Sequence, residues 1–417
     1  MLGWLWSGRR SAPARSTSTT HVARDIPTVE VPDLVERFLN KTVAGVACEL
    51  FQQHGDVVFV EHDADPGEDG FGASVATLVV ARADLTEHVL GSPNYLQHRG
   101  NDGWIWHTVR VLHQWDVWGK NANSWEQARQ CFQTALDEAG RDRAARHVAS
   151  NAALSTVTAF RDGPEYQNQS SGMAVDVLLQ LRVITLIITL EVFFGIDPGV
   201  LCNDELIVIV HEMVAYLKAW EYILRRPAST RGGEYHHHHM RQHLHGIHRL
   251  VERTQELLAI APSYDANPSL FINRLQRLPG CVPEHVAQCA LEMLLVGIDT
   301  AAVRMHHLWY KISEPGLEES AIRLCHEADL VLRHQDLAHF DRSAGLSPSL
   351  EDCLRMPVRV KPIGPVVMRR AACDETVLLE DGRTVQVGAG DTIVLNLPRL
   401  HRDRGEHLSI VEMKVVV

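Results

Sequence analysis

The chain has 417 residues, 45% of them hydrophobic, with a formal net charge of -12 and a pI near 6.0. An acidic chain without a basic, aromatic-interleaved face excludes a nucleic-acid surface. No internal repeat and no Pro/Gly/Ser linker divides it, so one large, mainly helical domain with a small β portion is expected.

Met1 to Trp6 is apolar but far too short to span a bilayer. From Arg9 to Arg24 there are four arginines, many serines and threonines and no acid, the composition of a mitochondrial transit peptide or of a disordered tail. Pro32 to His54 has helical spacing ended by Gly55, and Val57 to Val60 and Ala76 to Val80 read as short β-branched strands. Asp84 stands where a cap would begin the next helix. Ser124 to Leu330 is helical almost throughout. Leu178 to Ile196 is nearly apolar, but Arg182 and Glu191 within it favour a buried helix over a membrane span.

The clearest helix is Pro283 to Ser313, with proline and Glu284 suited to its first turn. At about 1.5 Å per residue it makes a rod of roughly 45 Å. Gly297 in its middle costs on the order of 1 kcal/mol relative to alanine, which calls for a close approach or a local kink. Thr376 to Glu380, Asp381-Gly382 and Thr384 to Val387 read as a hairpin, and Thr392 to Leu395 as one more strand.

Three constellations carry chemistry. Trp125 and Arg129, four apart at a helix start, put two donors on one face, either for a carboxylate or as a surface cation–π pair. Gly297-Ile298-Asp299-Thr300, just beyond Glu292, places an acid and a hydroxyl mid-helix, where both are unfavourable unless paired or functional. Asp352 and Arg355 can pair on a helix ahead of a proline-rich extended stretch that leads to Val366-Val-Met-Arg-Arg370. His236 to His239, His243, His245 and His248 lack an acid or cysteine at catalytic spacing and read as a solvated helix face. The eight cysteines contain no CxxC, which argues against a zinc ribbon and fits a reducing compartment.

Taken in order, these pieces resemble the cytochrome P450 family. Glu49 to Asp56 with its strands looks like the family's first helix and sheet, Trp125/Arg129 like its propionate-binding pair, and Gly297 to Thr300 like its oxygen-activation motif. Asp352/Arg355 stands where the family carries a Glu-x-x-Arg pair. Within the family the similarity is greatest to the aromatase branch, which converts androgens to oestrogens. Gln288 to Leu295, Tyr216 to Trp220, Val366 to Ala371, Ile393 to Asn396 and Leu400 to Arg402 carry it.

The resemblance implies a heme-thiolate monooxygenase acting on a steroid or similar lipophilic substrate. Asp299 and Thr300 would relay protons, supported by Glu292; Trp220, Thr300 and Met368 would contact the steroid; Arg99, Trp125, Arg129 and Arg369 would hold the heme propionates. Electrons would come from an NADPH-cytochrome P450 reductase or a ferredoxin. The family implies association with the endoplasmic reticulum membrane, and the N-terminal composition a mitochondrial alternative. Residues 1–30 are then a tail or targeting segment, 31–404 a single P450-like domain, and 405–417 a divergent tail. Ile298 stands where the aromatase branch has proline. After Arg404 no cysteine loop or last helix follows, so the expectation is a truncated form with no heme-iron cysteine. The alternative is a non-catalytic relative that binds an apolar ligand or a partner without turnover.

Overall fold

The computed structural model describes residues 26–31, 43–63, 74–97, 130–136, 176–224, 234–263, 267–268, 270–316, 366–389 and 391–396, with isolated positions at 319, 322, 323 and 326. They divide into two compact units. One is drawn from residues 1–114, 219–242 and 358–417, the other from 115–218 and 243–357.

The first unit is built on a six-stranded sheet in the order β1-β2-β3-β8-β5-β4. Its strands are β1 (Thr28–Glu30), β2 (Val57–Asp63), β3 (Ser74–Val80), β4 (Tyr95–Gln97), β5 (Val366–Ala371) and β8 (Thr392–Asn396). β3 runs antiparallel to β2 and parallel to β8, so a strand from the end of the chain sits between β3 and β5. The unbroken apolar run of β2 follows from burial on both faces. Val57 and Phe59 join a core with Leu85, Val89 and the hairpin residues Val377 and Val385. Val58 and Val60 face the other way, onto Val46, Leu50 and Phe51. Helix α1 (Val43–His54) supplies that second cover and ends at Gly55, whose φ of +98° is the left-handed turn expected of a terminal glycine.

Helix α2 (Ala83–Gly91) departs from expectation at its start. The N-cap position is Arg82, with an extended backbone and no side-chain cap bond, and Asp84 lies inside the first turn. Asp84 instead accepts Arg82 Nε at 2.8 Å and Nη2 at 2.7 Å, together with the Glu380 backbone N–H at 3.0 Å. The Glu380 bond ties α2 to the hairpin of β6 (Glu375–Leu378) and β7 (Thr384–Val387). Arg82 also meets Asp381, and Arg383 reaches Asp56 at 3.1 Å, which closes an ionic staple around the helix start.

The second unit is helical. Helix α3 (Val177–Thr189) is capped by Asp176, which accepts Leu179 N–H at 3.0 Å, and continues through a π-helical turn at Leu190–Phe194. Helices α4 (Asn203–Leu224) and α5 (Glu234–Ile260) approach at Gly246, where an added Cβ would come within 3.2 Å of Ala215 Cβ. Arg249 and Arg253 both donate to Glu212 at 3.1 Å. The short α6 (Phe271–Arg277) leads to the long rod, which comprises α7 (Pro283–Leu295), a π-helical turn at Val296–Thr300, and α8 (Ala301–Ile312). Proline opens the rod at the first helical positions, as the sequence indicates. Val177–Phe194 and His285–Lys311 are both long and apolar enough to cross a membrane by length and composition. Here they pack on one another.

Candidate functional site around the long helix

A π-turn inserts one residue into an α-helix, and such bulges concentrate at functional positions. In this chain the insertion falls on Val296–Thr300, where Gly297, Asp299 and Thr300 are gathered. The irregularity that Gly297 suggests is therefore present as a π-turn, and the close approach is present too. An added Cβ at Gly297 would sit 3.0 Å from Thr189 Oγ1 and 3.4 Å from its Cγ2. What Gly297 admits is the side chain of Thr189, on the helix packed against the rod.

That helix also supplies the partner of Asp299. Arg182 donates to Asp299 Oδ1 through Nε at 2.9 Å and through Nη2 at 2.7 Å. The two side chains are only 18% and 20% exposed, so the pair is mostly withdrawn from water. Thr185 Oγ1 lies 3.1 Å from Ile298 O inside the π-turn, and 2.9 Å from Leu181 O on its own helix. Its single proton is shared between these acceptors, which links the two helices at the level of the bulge. Thr300 Oγ1 donates back to Val296 O at 2.5 Å, leaving oxygen lone pairs able to accept.

Two turns earlier Glu292 accepts Gln288 Nε2 at 3.1 Å. Burial, followed by the nearby Glu292 carboxylate, raises the Cys289 thiol far above its ordinary range. Gln288 Oε1 and His285 Nδ1 are buried without a hydrogen-bond partner among the described residues.

The sequence-predicted residues divide sharply. Asp299, Thr300 and Glu292 share the rod. Arg369 lies buried, 2% exposed, on β5, and Met368 beside it pairs in register with Val394. Trp220 lies on α4. Arg99, Trp125, Arg129, Asp352 and Arg355 lie outside the described residues, as do residues 9–24. The histidine run lies on α5. Among the described residues no group of three His, Cys, Asp or Glu side chains is placed to hold a metal ion.

Of the four residues directed at a heme, Arg369 alone falls among the described residues, buried on β5. A guanidinium is of the chemistry that pairs with a propionate carboxylate. Sequence reasoning missed Arg182, Thr185 and Thr189. The signal for the first was present, because an arginine in an apolar helix needs an anion.

No family model matches the chain. Curated relatives do. It is 25% identical over 337 residues to aromatase of Bos taurus and 25% identical over 334 residues to aromatase of Oryctolagus cuniculus. It is also 24% identical over 336 residues to aromatase 2 of Sus scrofa. Each match covers 78% of this chain and 62% of the relative. The chain is thus similar to aromatase, a cytochrome P450, over most of its length, and it spans about 62% of the length of these relatives.

Proposed function

We propose that this chain derives from an aromatase-like cytochrome P450, a heme-thiolate monooxygenase that acts on a steroid, taking androgen to oestrogen, or on a similar lipophilic substrate. The observation that carries the reading is the π-turn at Val296–Thr300, which gathers Gly297, Asp299 and Thr300 where the resemblance puts the oxygen-activation motif. The similarity to aromatases supports it.

Arg99, Trp125, Arg129 and Arg369 would hold the heme through its propionates. When bound, the heme supplies oxygen activation, with electrons from an NADPH-dependent reductase or a ferredoxin. The chain's own groups position and move protons. Arg182 fixes Asp299 through Oδ1, leaving Oδ2 to accept and pass on a proton. Thr300 Oγ1, oriented by its bond to Val296 O, is the adjacent hydroxyl of that relay, and Glu292 supports it from two turns away. Trp220, Thr300 and Met368 would contact the steroid, and Asp352 with Arg355 would form a structural pair. By the same resemblance the protein works at the endoplasmic reticulum membrane.

The test is to express a form of the protein that carries a heme-ligating cysteine, with a heme supply, titrate it with androgen, and assay oestrogen formation with reductase and NADPH. The reading expects a steroid-induced shift of the Soret band together with product. A protein that binds steroid with neither heme nor turnover would establish the non-catalytic alternative.

A further inference from the structure

Two buried polar atoms at the foot of the long rod take no part in the proposed relay. His285 and Gln288 are only 6% and 3% exposed, and His285 Nδ1 and Gln288 Oε1 make no hydrogen bond among the described residues. Three apart on α7, the two residues are neighbours on one face of the helix. The Gln288 amide is oriented by its other end. Its Nε2 donates to Glu292 Oε1 at 3.1 Å, which leaves Oε1 as the unmet atom. Burying one such atom unmet is costly, and two side by side call for a group that meets both.

The chemistry of that group follows from the two atoms. Gln288 Oε1 only accepts, so the group must donate to it, whereas His285 Nδ1 accepts or donates according to its tautomer. An ammonium could serve both atoms, but it would carry a charge into an apolar interior. Val286, Ala290 and Leu291 are buried on the same helix, and α6, which packs on α7, buries Phe271, Ile272 and Leu275. A buried water typically makes about three hydrogen bonds, so with two protein partners one of its O–H groups is stranded. An alcohol has a single O–H. It donates to Oε1, accepts from Nδ1–H, and leaves its carbon chain to the apolar side.

We propose that His285 and Gln288 form a binding site for the hydroxyl group of a lipophilic alcohol, set apart from the π-turn. Gln288 precedes Thr300 by roughly 18 Å of helix axis. A ligand held by its hydroxyl at Gln288 is therefore remote from Asp299 and Thr300, and its binding depends on neither heme nor turnover.

The experiment photolabels the purified full chain with 3-azioctanol, a diazirine-bearing alcohol, and maps the adducts by peptide mass spectrometry. Labelling is expected on the peptide that carries His285 and Gln288. Excess 1-octanol should suppress it, and the same concentration of 1-methoxyoctane, which keeps the oxygen but lacks the donor, should not. In calorimetric titrations 1-octanol should bind at least about tenfold more tightly than 1-methoxyoctane, and the preference should fall below about twofold in Gln288→Leu and in His285→Phe. Adducts elsewhere only, equal affinity for the two probes, or a preference unchanged in both variants would overturn the proposal. So would a bound water only, seen between the two side chains in crystals soaked with 1-octanol. Labelling and competition in the unaltered chain decide the question even if a variant fails to fold.

Discussion

Arg182 places two donors on a single oxygen of Asp299, bridging 117 residues of sequence between two apolar helices. Removing one partner of a largely buried ion pair strands the other charge, which costs more than the pair itself contributes. Arg182→Met should therefore lower stability by about 2 kcal/mol, and Asp299→Asn in the same chain should recover part of that loss. Urea unfolding of the two single variants and the double variant measures this. Strict additivity would mean that the two side chains do not interact.

The same carboxylate serves the proposed relay. In a catalytically active form, Asp299→Asn should reduce kcat by at least about tenfold while changing steroid affinity by less than about twofold. Steady-state turnover beside a binding titration separates the two. Equal losses would make Asp299 a substrate contact or a purely structural residue.

Gly297 faces Thr189, so its substitution tests the helix contact directly. Gly297→Ala gains on the order of 1 kcal/mol of helix propensity and meets a side chain at 3.0 Å, where overpacking costs about 1–3 kcal/mol. A net loss of roughly 1 kcal/mol is expected. With Thr189→Ala as background the obstruction is gone, and the same change should stabilise. Thermal melts of all four combinations would show the change of sign.

The staple at the start of α2 responds to acid. The Arg82 guanidinium, through its hydrogen bonds, holds the Asp84 carboxyl well below the usual carboxylate range. Its folded pKa is thus below the unfolded value, so its stabilisation is complete above about pH 4 and disappears as pH falls toward the folded value. Asp84→Asn should cost about 2 kcal/mol at pH 7 and progressively less below pH 4. Chemical denaturation at a series of pH values checks this, and a constant difference across the series would count against it.

Much of this could be read from the residues. β-Branched runs marked β2 and β3, Asp381-Gly382 marked the hairpin turn, and Gly297 marked an irregularity in the long helix. The partners could not be read, because they come from distant segments. Arg182 signalled a buried helix yet did not reveal which acid it serves. Asp84 has the composition of a cap, but its carboxylate is taken by Arg82 and by the Glu380 N–H, from a hairpin 296 residues away. Local preference yielded there to tertiary contact.

The sheet also bears on how the chain is made. β8 lies between β3 and β5, and the Asp56–Arg383 bridge spans 327 residues. While the ribosome is still translating the helical half, β3 has already emerged with one edge waiting for a strand not yet synthesised. The helical unit can gather co-translationally, whereas the sheet closes only after β8 is released. During that interval the valines of β2 and β3 are open to intermolecular pairing.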